Sequence, residues 1–140
     1  MTPKRSSGFT LLELLVVMVI IGMLVGYVAP KFFSQIGKSE VKTARAQIDG
    51  LEKSLDQYRL DVGHYPASEQ GLAALNERPS GEAKWAGPYL KKKLPKDPWG
   101  HDYVYVAPNG AGGRPTIKSL GADGKEGGEG LDADISFGGA

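Results

Sequence analysis

Cysteine is absent from this 140-residue chain, which removes disulfides, thiol catalysis and thiolate metal sites together. Histidine is nearly absent, His64 and His101 being the only two. Each lies beside an aromatic and a turn residue, outside any nucleophile elbow or zinc-helix spacing. Excess charge is missing as well. The 17 basic and 16 acidic residues leave +1 at pH 7, which points to no nucleic-acid partner and no polybasic membrane patch. No catalytic residue is expected. A membrane-tethered calcium-dependent hydrolase is the one enzymatic alternative, and it would need a pocket joining His101 to several carboxylates.

What the chain does have is a long apolar run, residues 8–29, whose single charge is Glu13. As a helix, residues 9–29 span roughly 31 Å, close to the hydrocarbon thickness of a bilayer. Lys4 and Arg5 precede the run, so the positive-inside bias keeps the N-terminus in the cytoplasm and sends the rest across. A cleaved secretory signal fits less well, because its apolar region is about 7 to 15 residues. The small-residue cleavage pattern also fails at Tyr27, Val28 and Ala29, with Pro30 following.

Glu13 is the anomaly, since a carboxylate near the centre of a membrane helix costs about 2.5 to 3.5 kcal/mol, and less towards an end. A cut between Gly8 and Phe9 would place a new amino group one helical turn before it. That amine could pair with Glu13 within one chain or between neighbours. The alternative is an interfacial Glu reaching the head groups.

Pro30 ends the apolar run, and Lys31 and Lys38 flank an aromatic pair suited to the membrane interface. Gly22 and Gly26 allow either close helix packing or local unwinding. Over residues 39–62 the apolar positions Val41, Ala44, Ile48, Leu51, Leu55, Tyr58 and Val62 step by three and four. This predicts an amphipathic helix ending at Gly63, with a sheet folded onto the stripe in preference to a coiled coil. About 110 residues follow the membrane stretch, the scale of one core. Within them a short helix capped by Ser68 is expected over 68–75, a loop over 79–88, and strands over 102–107 and 116–120 joined by PNGAGGR. A further edge strand or turn is possible over 89–94. Asp97 reads as a turn residue before Pro98, and Trp99 as filling between helix and sheet. From Gly121 onward there is no periodicity.

Residues 4–22, KRSSGFTLLELLVVMVIIG, closely resemble the leader and N-terminal core of the type IV pilin superfamily. The resemblance implies cleavage after Gly8, N-methylation of Phe9 by a prepilin peptidase, and a role for Glu13 in subunit recruitment and register. Further on, GHYPASEQGLAAL, GPYLKKKLPKDPWGHDYVY and SLGADGKEGGEGLDADIS look like the major pseudopilins of type II secretion systems.

That likeness implies an α+β pilin-like fold. A long N-terminal helix, half membrane-spanning and half amphipathic, would pack on a small antiparallel sheet with a C-terminal calcium loop. Residues 1–8 would be the leader, 9–29 the transmembrane and assembly helix, and 30–140 a periplasmic domain on a single-pass inner-membrane anchor. The subunit would form a helical homopolymer, the pseudopilus, that helps export folded proteins across the outer membrane. Minor pseudopilins, the prepilin peptidase and an inner-membrane assembly platform are the implied partners. The alternative is a subunit of a type IV surface pilus, although such pilins commonly carry a C-terminal disulfide loop and this chain has no cysteine. The tail SFGGA is shorter and less aromatic than the likeness implies.

Two sets of charged residues remain. Glu52 and Asp56 lie one turn apart on the charged helix face, and Lys92 lies in a basic run. Such charges are usually solvated; the alternative is a bridge between copies, each contact giving only about 0 to 1 kcal/mol but repeated along a filament. The loop from Gly121 to Asp134 holds Asp123, Glu126, Glu129, Asp132 and Asp134 among glycines, with Lys125 the one cation. By composition it is either a solvated tail or a calcium site, because calcium neutralises carboxylates and takes backbone carbonyls that glycines turn inward. The spacing is not that of an EF-hand. The pseudopilin likeness implies the site, with side chains of Asp123, Asp132 and Asp134, carbonyls near Leu120 and Lys125, and Glu126 and Glu129 facing water.

Overall fold

The first helix begins with a reciprocal cap. The Thr10 backbone N–H donates to Glu13 Oε2 at 2.9 Å and the Glu13 N–H donates to Thr10 Oγ1 at 3.2 Å, so two N-terminal donors that a helix leaves open are satisfied. From this cap α1 runs over Leu11–Val62 with Pro30 inside it. The helix thus passes through Pro30 and joins the apolar run to the amphipathic stretch without a break. Proline lacks one donor and crowds the carbonyl four residues back, and here that residue is Gly26. At the far end Gly63 takes φ +99°, and its N–H donates to the Arg59 carbonyl at 2.8 Å. That left-handed residue stops the helix where the sequence places the stop.

This computed structural model describes residues 7–137. Lys4, Arg5 and the last three residues of the tail lie outside that range. The chain divides into two compact units, Met1–Gly37 and Lys38–Ala140. In the first, the most apolar window of α1 is 0% buried. Gly22 and Gly26 have open space where a Cβ would stand, so within one chain they pack against nothing.

In the second unit the helical stripe is the core. Ala44, Ile48, Leu51, Leu55, Tyr58 and Val62 are all buried, together with Leu72, Leu75, Tyr103, Ile117 and Ile135. Each fully buried aliphatic side chain contributes about 1.5 to 3 kcal/mol. The stripe is covered by the chain's own sheet and loops, which decides against a coiled coil.

The sheet has three antiparallel strands in the order β1-β2-β3: Val104–Val106, Thr116–Ser119 and Ile135–Phe137. Tyr105 pairs with Ile117, and Ser119 with Ile135. The first two strands lie inside the expected ranges but are shorter. β3 falls in a region without sequence signal, because a three-residue strand with only Ile135 buried has no alternation to read. The alternative of an edge strand over 89–94 is not realised; there the Tyr89 N–H donates to the Leu75 carbonyl at 2.7 Å.

The short helix is also different from expectation. It is a 3-10 turn, Gly71–Leu75, and Ser68 does not cap it. Ser68 Oγ instead accepts from the Ala107 N–H at 3.1 Å, tying this segment to the end of β1. The 79–88 loop is held by its aromatics: Trp85 Nε1–H donates to the Ala74 carbonyl at 2.8 Å, and Tyr89 OH to Asp61 Oδ2 at 2.9 Å. Gly87 is required there, since a Cβ would stand 2.6 Å from the Trp85 ring.

Candidate functional site

Three places carry the residues singled out above. At the N-terminus, Phe9 is 85% exposed, and one turn later Glu13 is engaged in the cap with Thr10. Thr10-x-x-Glu13 is the capping-box pattern, a local signal that the sequence carries. The cap gives the carboxylate a local partner and still leaves one of its oxygens available.

On the charged face of α1, Glu52 and Asp56 line a recess with Tyr65, Arg114 and Pro115. Tyr65 OH donates to Asp56 Oδ1 at 2.7 Å, and the Arg59 guanidinium lies 5.0 Å over the Tyr65 ring. Partial burial raises the Glu52 carboxyl above its ordinary range, with Arg114 opposing the shift. Lys92 is exposed, and its carbonyl accepts from Asn76 Nδ2 at 3.0 Å. Among the described residues no ion pair joins Lys92 to Glu52 or Asp56 within the chain. Arg114, the cation that does reach this recess, carried no sequence signal because it comes from the β1–β2 loop.

The third place is the loop after β2. Its ends are fastened together: the Ala122 N–H donates to the Leu131 carbonyl at 2.9 Å, and a 3-10 turn at Gly130–Asp132 leads into β3. Gly121 and Gly128 both have positive φ, and a Cβ on them would stand 2.6 Å and 2.5 Å from the Asp132 carbonyl oxygen. Only glycine lets the two backbone segments approach that closely. Asp123 Oδ1 accepts from the Lys125 N–H at 3.0 Å. Asp134 Oδ1 is buried and has no hydrogen-bond partner. Glu126 is exposed and pairs with Lys118 Nζ at 2.7 Å, which lowers its carboxyl below the usual range; Glu129 is exposed.

Among the described residues no three Asp, Glu or His side chains converge to hold a metal ion. The expected trio of Asp123, Asp132 and Asp134 is thus brought onto one closed loop without being gathered into one cluster. The donor chemistry nonetheless fits calcium. An orphaned buried carboxylate oxygen at Asp134 needs a cation or donor, and carboxylates with backbone carbonyls are the all-oxygen set calcium takes.

Behind this loop lies a turn whose importance the sequence did not disclose. Asp97 is the turn residue expected before Pro98, and it is buried. Its Oδ1 accepts from the backbone N–H groups of Trp99 at 3.1 Å and His101 at 2.8 Å, and its Oδ2 accepts from Ser119 Oγ at 2.6 Å. Trp99 Nε1–H donates to Glu40 Oε2 at 3.0 Å, which pins the turn to α1. His101 Nδ1 lies 3.2 Å from the Gly121 carbonyl and 3.8 Å from Asp97 Oδ2. The other imidazole, His64, is elsewhere, with Nε2 3.3 Å from Glu82 Oε1. The pocket of carboxylates around His101 that a hydrolase would need is not found among the described residues.

Comparison with known proteins agrees with this architecture. The family model for Type II secretion system (T2SS), protein G matches residues 31–137, and the prokaryotic N-terminal methylation motif matches residues 3–29. The chain is 45% identical over 138 residues to the type II secretion system core protein G of Pseudomonas aeruginosa, covering 96% of each. It is 45% identical over 135 residues to the core protein G of Vibrio cholerae, covering 94% of this chain and 91% of that one. The crystal structure of the major pseudopilin from the type 2 secretion system of enterohaemorrhagic Escherichia coli is similar at a TM-score of 0.59 and 34% identity, over 74% of this chain and 90% of that one. A protein G match across the whole globular part, a methylation motif across the apolar start and a shared pseudopilin fold leave one assignment: this chain belongs to the type II secretion system protein G family.

Proposed function

We propose that this chain is a structural subunit that polymerises into the periplasmic pseudopilus of a type II secretion system and takes part in exporting folded proteins. The observation that carries the reading is the first part of α1. Its apolar surface has no cover in a single chain, with the most apolar window 0% buried. Lipid covers such a surface in the stored subunit, and neighbouring helices cover it in a filament. The protein is non-enzymatic on this reading. It is anchored in the inner membrane with its C-terminal domain in the periplasm, after a prepilin peptidase has removed residues 1–8 and methylated Phe9. Its partners are other copies, minor pseudopilins and the inner-membrane assembly platform. A surface-pilus role is supported less, because the protein G match spans residues 31–137.

Calcium belongs to the same reading. Side chains of Asp123, Asp132 and Asp134 and the carbonyls of Leu120 and Lys125 would hold it. The ion neutralises the carboxylates and ties loop order to folding, because only the native loop presents the ligands. The orphaned Asp134 Oδ1 supports it.

Deleting the gene tests the function. Secreted proteins should accumulate folded in the periplasm while surface pili persist. Loss of pili with secretion intact would overturn the proposal.

A further inference from the structure

We propose that His101 is a positioning residue for the calcium loop, holding the backbone of residues 121–124 in its ion-accepting path; this rests on the calcium reading above. The imidazole touches that segment at two points. The Gly121 carbonyl can only accept, so Nδ1, 3.2 Å away, carries the proton and donates. Three residues on, the segment lies against the same ring. A Cβ at Gly124 would stand 3.0 Å from His101 Cε1 and Nε2, and the backbone there has φ +66°. A side chain at 124 would crowd the ring, which would have to shift by a few tenths of an ångström, and would strain the left-handed backbone there.

The two contacts bracket Asp123 and follow directly on Leu120, two of the five proposed ligands. His101 is itself held rigidly. Asp97 takes its backbone N–H at 2.8 Å and the Ser119 hydroxyl at 2.6 Å, and the Asp97 N–H donates to the His101 carbonyl at 2.9 Å. Ser119 Oγ in turn accepts from the Gly121 N–H at 3.3 Å. The imidazole therefore ties the 97–101 turn to a glycine-rich segment that is otherwise anchored through Ala122 to Leu131 and through Gly121 to Ser119. A metal site whose supporting contacts are lost typically binds about 10 to 100-fold more weakly, because the ion must then order the loop itself.

Calcium affinity of the full mature chain in detergent micelles, measured by calorimetric titration, tests this. His101→Phe keeps the ring and loses the donor, while His101→Asn keeps an N–H that reaches the place of Nδ1. The Phe variant should bind calcium at least about tenfold more weakly, with its melting temperature in chelator close to wild type. The Asn variant should recover most of the affinity. Wild-type affinity in the Phe variant overturns the proposal, as does a loss of melting temperature equal with and without calcium, which would mark His101 as mere packing. If the unsubstituted chain takes up no calcium, the calcium reading fails and this inference with it. Binding by the unsubstituted chain that His101→Phe leaves intact removes this inference alone.

Discussion

Ser119 Oγ donates to Asp97 Oδ2 at 2.6 Å, and both residues are buried. This bond joins the end of β2 to the turn that carries Trp99 and His101. A hydrogen bond to a buried charged group contributes about 1.5 to 3 kcal/mol. Ser119→Ala should lower the unfolding free energy by about that amount in denaturant titration of the full chain. A loss below a few tenths would mean that the carboxylate finds another donor.

Glu13 caps α1, the proposed function has it meet an amino terminus as well, and two substitutions separate these roles. Gln is competent in a capping box and Leu is not. Glu13→Gln and Glu13→Leu should both leave the chain inserted and helical, Leu with a slightly frayed start, and both should block filament assembly, because both remove the charge. Assembly by the Gln variant, scored by cross-linking between copies, would assign Glu13 to capping alone. The same preparations test processing: Gly8→Ala should leave the precursor uncut, with mass spectrometry finding methylated Phe9 only in the parent chain.

Asp56 is engaged by the Tyr65 hydroxyl within the chain, so a bridge to Lys92 of another copy has to share or displace that bond. Exposed pairs contribute about 0 to 1 kcal/mol each. Asp56→Lys and Lys92→Glu should each weaken assembly and together restore it. Tyr65→Phe, which frees the carboxylate, should not weaken it. Absence of rescue in the double variant would remove Lys92 as the partner.

Calcium removal should act on stability. Chelator should lower the melting temperature of the full chain and added calcium should restore it, by the mass action of an ion bound only to the native loop. Asp123→Ala and Asp134→Ala should abolish the response. Asp134→Asn should be more stable than the parent chain when calcium is absent, since it removes a charge that has no partner there. Identical melting with and without chelator would remove the site.

Alkaline pH should unfold the domain through its inward tyrosines. Burial, with Asp97 adding, pushes the Tyr103 phenol up to about 12, and burial raises Tyr105 in the same direction. Unfolded phenols ionise near about 10. With the folded value above the unfolded one, the stabilisation is complete below about pH 10 and is lost as pH rises towards 12. Circular dichroism should follow that loss, and Tyr103→Phe should make it shallower. An unchanged alkaline profile in that variant would show that Tyr103 is not the group responsible.

The membrane-length apolar run, the cleavage and methylation signature, the amphipathic stripe and its end at Gly63 were all determined by the sequence alone. These are local or periodic features, and a helix shows its buried face through spacing that needs no partner to read. Tertiary structure decided what depends on residues far apart in the chain. It turned Ser68 from a helix cap into an acceptor for Ala107, made a strand of Ile135–Phe137 by pairing it with β2, and buried Asp97 under Ser119. A three-residue strand has no signature in sequence, and of the donors to Asp97 only those of its own turn are local; Ser119 arrives when the sheet closes on the helix. The acidic glycine-rich loop lies between these cases: its composition left a solvated tail and a calcium site equally open, and only the fold brought His101 against Gly121 and Gly124 and left Asp134 Oδ1 without a partner.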